Sequence, residues 1–178
     1  MRRHFRSFDI TVLLTLVGLT FGVLAQAQQA PMCTPPPAGL VSWWTGDGNY
    51  KDIIGGNNGT PVGGVTFAPG EVGQAFSFNG VDSYVDIGNP PSLSISGAIT
   101  VEAWINPTVV NTYRDILDQM STNDNLGEVQ LRINRFGTFD FFRRYVQGSI
   151  LTQGTSTQTS AVAGIWQHVA AVYDGSAY

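Results

Sequence analysis

One cysteine, Cys33, is too few for an intrachain disulfide, so a packed core or a bound metal must hold the fold. Lysine is nearly missing as well: Lys51 stands alone, and charged residues make up only 12% of the 178-residue chain. There are two histidines, His4 and His168, which leaves little for metal-hydrolytic or nucleophilic chemistry. Long apolar runs are absent but for Ile10 to Leu24, which is too short and wrongly flanked for a transmembrane helix. Arg2, Arg3 and Arg6 precede that run and Ala25-Gln26-Ala27 follows it, the pattern of a secretory signal over residues 1–27. An uncleaved anchor is the alternative. Removing the leader leaves six basic residues against twelve acidic, a net charge of −6. Such a chain is a poor partner for nucleic acid or an anionic membrane. The expectation is a secreted or cell-surface protein, with no membrane insertion after signal removal. Met32 before Cys33 argues against a lipidated cysteine, and the free thiol reads as tolerated.

Helical periodicity is missing too; the pattern is strands and turns. Twenty-one glycines and ten phenylalanines suit an all-β chain. Gln74 to Ile105 organises it. Ala75 to Phe78 and Tyr84 to Ile87 nearly alternate apolar with polar residues, as half-buried strands do. Between them Asn79-Gly80-Val81-Asp82-Ser83 has turn chemistry. Ile99 to Ile105 alternates cleanly: Ile99, Val101, Ala103 and Ile105 share one face, and Thr100, Glu102 and Trp104 the other. Upstream, residues 28–38 form a Pro-rich linker, Leu40 to Trp44 reads as a first strand, Thr45 to Pro61 as a Gly/Asn/Asp loop, and Val62 to Phe67 as a short strand. Downstream, strands are expected over 113–119, 127–134 and 138–145, with turns at Asn123-Asp124-Asn125 and Phe136-Gly137. Val129, Leu131 and Ile133 point inward. Gln147 to Ala163 reads as a loop with at most one strand in it. Trp166 to Tyr173 is apolar on both faces and reads as a central strand covered on both sides.

The runs A-F-S-F-N-G-V-D-S-Y-V and S-L-S-I-S-G-A-I-T-V-E-A-W-I-N-P, with G-L-V-S-W-W-T-G-D-G before them and G-I-W-Q-H-V-A-A-V-Y-D-G after, resemble the laminin-G-like, concanavalin A-like domains of bacterial secreted and surface proteins. The resemblance spans about residues 39–178. It implies an all-β, two-sheet antiparallel jelly-roll sandwich. Measured against the family, the last strands after Trp166 to Tyr173 are missing, so the domain reads as truncated at its C-terminus, with unpaired strand edges exposed.

Several residues are candidates for chemistry, each with a plainer reading beside it. Calcium needs several oxygen ligands in a flexible loop. Asp47-Gly48-Asn49 with Asp52 supplies them, Asn57 and Asn58 could add more, and the resemblance implies calcium at the sandwich rim. The plainer reading is Asp and Asn side chains bonding their own backbone. Asp82 is a second metal candidate, set against an Asx turn that closes a hairpin. Retaining glycosidases of this architecture set two carboxylates on one strand face; no Glu-x-Asp-x-x-Glu run exists, and Glu102 and Glu128 each stand alone. His168 reads as packed or interfacial. Trp104 and Trp166 read as core, while one of Trp43 and Trp44 should face outward. Tyr50 and Tyr113 are freer aromatics for stacking on a sugar. Arg132, Arg135, Arg143 and Arg144 could read a carboxylate or a sulfated glycan, or simply form a charged solvent face.

With no catalytic residues assignable, the expected function is a non-catalytic extracellular recognition module that binds carbohydrate or a protein surface within a larger secreted or cell-surface protein. A structural or adhesive spacer and an accessory domain of a secreted hydrolase are the alternatives.

Overall fold

In the computed structural model, contacts divide the chain into two compact units, Met1–Pro36 and Pro37–Tyr178. The structure describes residues 35–119, 128–146 and 150–176. The signal reading, Cys33 and the Asn123-Asp124-Asn125 turn lie outside these residues.

Among the described residues the second unit has ten strands: β1 Thr60–Val62, β2 Thr66–Pro69, β3 Gln74–Ser77, β4 Tyr84–Asp86, β5 Ile99–Ile105, β6 Arg114–Gln119, β7 Glu128–Ile133, β8 Thr138–Val146, β9 Ile150–Ser160 and β10 Gln167–Tyr173. One 3-10 turn, Pro91–Leu93, precedes β5. Every pairing is antiparallel. The order is β6-β7-β8-β9 in the largest sheet, with β5-β10, β2-β3 and β1-β4 as two-stranded pairs. This is the almost wholly β, antiparallel architecture expected of a jelly-roll sandwich.

The core lies between the β6–β9 sheet and the β5-β10 pair. Val129, Leu131 and Ile133 of β7, Phe139 and Phe141 of β8, and Val169 and Ala171 of β10 are buried, and Ile99, Val101, Ala103 and Ile105 of β5 pack against them. Alternation decides this. Each strand sends every second side chain to the same layer, so the apolar set of β5 read from the sequence is the set that faces the core. The β7–β8 hairpin turns at Asn134, whose Oδ1 accepts the Phe136 and Thr138 N–H groups at 2.9 and 3.2 Å. Gly137 completes the turn with φ +77°, a backbone that a side chain would strain.

The structure corrects four strand expectations. Leu40 to Trp44 is not a strand; only Trp44 forms a single bridge, to Asp52. The Val62 to Phe67 run is split between β1 and β2 by Gly63-Gly64. β3 and β4 are neighbours in sequence but pair with β2 and β1 respectively, so the 79–83 turn closes no hairpin. β10 pairs only with β5 among the described residues. It is not covered on both sides, since His168, Ala170 and Val172 are exposed. The Gln147 to Ala163 stretch contains one long strand, β9, paired to β8 with a register shift between Thr138 and Asp140.

Candidate functional site

The exposed face of the β5-β10 pair carries an outward row of six residues that includes Trp104 and His168. Register sets Trp104 opposite His168, Glu102 opposite Ala170, and Thr100 opposite Val172. Because the neighbouring residues point into the core, all six face outward and all are exposed. Trp104 retains 52% of its surface and Val172 53%. The indole and the His168 imidazole lie tilted at 5.2 Å between centroids. His168 Nε2 is 3.3 Å from Glu102 Oε2, so one contact holds the imidazole from each side. Trp104 is therefore not a core residue, as its apolar character alone suggests. Its parity with Thr100 and Glu102, visible in the sequence, was the better guide. The expected Trp43/Trp44 division is observed: Trp43 is exposed, while Trp44 is half-buried and donates Nε1–H to the Asn57 carbonyl at 2.8 Å.

The Thr45 to Pro61 loop is built around the Asp52 carboxylate, which is only 6% exposed. Its Oδ1 accepts the N–H groups of Trp43, Ile54 and Gly55 at 2.9, 3.0 and 3.1 Å. Its Oδ2 accepts that of Asn57 at 3.0 Å. Burial alone pushes an acid's pKa up, but the four amide donors outweigh it and hold Asp52 well below the usual carboxylate range. Asn58 Oδ1 accepts the Asp52 N–H at 3.0 Å. Asn57 donates Nδ2–H to Ser42 Oγ and accepts from Ser92 through Oδ1. Asp47 is exposed and turned elsewhere, its Oδ1 taking the Gln74 N–H at 2.8 Å. As the residues stand, they do not fit a calcium cradle. The Asp52 oxygens face N–H donors, which a cation would have to displace, and Asp47 and Asp52 serve different partners. Among the described residues no three His, Cys, Asp or Glu side chains gather where a metal could be held. Asp82 Oδ1 accepts from Asn79 Nδ2 at 2.7 Å. The organiser of that turn is Asn79, whose Oδ1 takes the N–H groups of Val81, Asp82 and Ser83. Asn79 opens the run whose turn chemistry is visible in the sequence, and its side chain is what holds that turn.

Gly55 gives the Asp52 arrangement an independent check. A Cβ there would come 2.3 Å from the Val41 carbonyl oxygen and 2.9 Å from Asp52 Oδ2. Gly55→Ala should therefore destabilise the domain by about 1–2 kcal/mol in a denaturant titration, by loosening this loop.

The arginines do not form one anion-reading cluster, because strand parity sends them to opposite faces. Arg132 faces outward, 3.3 Å from Asp140 and 4.5 Å over the Tyr113 ring. Arg135 lies over Phe136. Arg143 turns inward beside Phe139 and Phe141 and is 3% exposed. The side chains of Arg144 and Glu128 are outside the described residues. Tyr50 is not free either: it stacks against Phe76 with 5.6 Å between centroids and donates its hydroxyl to the Val65 carbonyl.

Asp140 is the second carboxylate held down. Burial raises its pKa, and the hydrogen bonds from Ser156, Asn134 and Arg132 together with the Arg132 charge lower it further than burial raises it. A carboxylate depressed in the folded state stabilises above its unfolded value of 3.8. That contribution is lost as pH falls below about 4 toward the folded value. Asp140→Asn should therefore flatten the acid limb of a stability-versus-pH curve without changing its neutral plateau by more than about 1–2 kcal/mol.

Between β9 and β10 runs a groove of about 410 Å³, with Leu131, Phe139 and Phe141 on its floor and Thr155, Thr157 and Thr159 along one side. Among the described residues no carboxylate lines it.

A family model described as the concanavalin A-like lectin/glucanases superfamily matches residues 79–178, from the Asn79 turn through β10. The chain belongs to this superfamily. No curated protein and no solved structure matches it. A concanavalin A-like domain of this laminin-G type is usually a non-catalytic module that binds carbohydrate or protein. Among the described carboxylates, Glu102 faces His168 and Asp52 faces backbone amides.

Proposed function

We propose that this domain is a non-catalytic recognition module of an exported protein, engaging a carbohydrate or a protein surface outside the cell. The observation that carries the reading is the outward row of β5 and β10, where an aromatic ring, an imidazole and a carboxylate stand exposed on one sheet face. Sheet-mounted groups lose little freedom on binding, which favours recognition over adaptation. Export is supported by the Arg2 to Ala27 pattern and by the acidic balance of the remainder. Among the described residues no helix is long and apolar enough to cross a membrane.

The test is a glycan array and an extracellular-protein overlay, run beside an assay for new reducing ends on the same polysaccharides. Retention of a ligand with no new reducing ends is the expected result. Reducing ends appearing above background would overturn the reading. Failure to retain anything in either format would favour the spacer alternative.

A further inference from the structure

Within the exposed β5-β10 face, the side chains differ in height. Ala170 is the smallest of the outward residues, and it lies between His168 and Val172 on β10 and opposite Glu102 on β5. Larger neighbours therefore rim a shallow seat: Trp104 and His168 toward one end, Val172 toward the other, and Glu102 across the ladder. The Ala170 methyl forms the floor. Cross-strand side chains sit about 4.5–5.5 Å apart and diagonal ones about 7–8 Å, so the seat is the width of one six-membered ring.

The chemistry of the rim is mixed in a specific way. Trp104 offers half its surface as a flat apolar wall. Glu102, whose side chain is 57% exposed, offers acceptor oxygens, only one of which is paired with His168. Thr100, the next outward residue on β5, adds a hydroxyl that can donate and accept. A pyranose ring presents the complementary set: one face of C–H groups to lie on an indole, and a perimeter of hydroxyl donors for a carboxylate. A cationic ligand would have to compete with His168 for Glu102. A purely apolar ligand would leave the carboxylate and hydroxyl without use.

We propose that the Trp104, His168, Glu102 and Ala170 seat binds one neutral pyranose ring of an oligosaccharide, with Trp104 as the stacking residue, Glu102 as the hydroxyl acceptor and His168 as the positioning residue for both. The proposal rests on the recognition reading above and names its ligand class and residues.

The experiment uses the chain with four single substitutions, Trp104→Ala, Trp104→Phe, Glu102→Gln and Ala170→Leu. Each is at an exposed position, and melting curves confirm that each remains folded. The probes are neutral gluco-, manno-, galacto- and N-acetylglucosamine oligosaccharides, first on an array and then by calorimetric titration of whatever is retained. Trp104→Ala is expected to weaken binding about 30-fold or more, the loss typical of a truncated aromatic anchor. Ala170→Leu fills the seat and is expected to abolish binding while leaving Trp104 in place. Trp104→Phe should restore part of the affinity. Binding unchanged in both Trp104→Ala and Ala170→Leu would overturn this site and leave the recognition reading intact. Retention of a protein but of no glycan would overturn the sugar assignment alone. Release of reducing ends would overturn the recognition reading itself.

Discussion

Asp52→Ala should lower the melting temperature by on the order of 10 °C, the largest single effect expected in this domain. The substitution strips the acceptor from four backbone N–H groups, those of Trp43, Ile54, Gly55 and Asn57. An orphaned buried donor costs about 1–3 kcal/mol, and more when its partner was charged. Some of the four can turn to water, so the sum is about 3–5 kcal/mol rather than the full total. Asp52→Asn should fall between, since the amide keeps one acceptor oxygen but brings an N–H₂ against a donor. Acid should reproduce the substitution. The folded-state pKa is depressed below the ordinary 3.8, so the stabilisation is complete above that value and fades as pH falls below about 4. The Asp52→Asn curve should lack that part of the slope. Adding calcium or chelator at neutral pH should leave the wild-type midpoint unmoved, because the carboxylate already has its donors. A midpoint that drops with chelator and recovers with calcium would instead establish a metal at Asp47 and Asp52.

Arg143→Ala should cost about 3 kcal/mol, and Arg143→Met much less. The guanidinium reaches the carbonyls of Gly97 and Ile95 and lies 4.6 Å over the Tyr173 ring, which ties the loop before β5 to β8 and β10. Among the described residues its Nε–H is buried without a partner. The long apolar stem fills space between the sheets that alanine would leave empty. Methionine keeps that volume and removes a buried charge, a change that is often nearly neutral. The two carbonyls released lie in the partly exposed loop 95–97, where water can reach them. Equal loss in both variants, measured by urea unfolding, would show that the carbonyl bonds rather than the packing carry the effect.

Much of this was legible in sequence where period 2 governs. β5 and β7 announce their inward sets, Ile99 to Ile105 and Val129 to Ile133, because alternation is a local property of the pleat. Partner choice is not local. β3 and β4 look like a hairpin across Asn79 to Ser83, yet each pairs upstream, which only the folded chain decides. Residue type misled where it disagreed with parity. Trp104 reads as core for its size and Arg143 as surface for its charge. Parity places Trp104 with Thr100 and Glu102, and Arg143 with Phe139 and Phe141, and parity is what the structure follows. The 45–58 loop is the hardest case. An Asp and Asn cluster is the same in sequence whether it holds a cation or its own amides, and only the direction of the N–H groups separates the two.

Ligand binding at the β5-β10 face requires that the face carrying Trp104 be open to solvent. Hydroxyl-radical footprinting read by mass spectrometry tests it directly, with the tryptophans as internal standards. Trp43 and Trp104, 46% and 52% exposed, should oxidise quickly, and the half-buried Trp44 and Trp166 slowly. Slow oxidation of Trp104 beside fast oxidation of Trp43 would show that the face is covered, and both the recognition surface and the sugar seat would have to be abandoned.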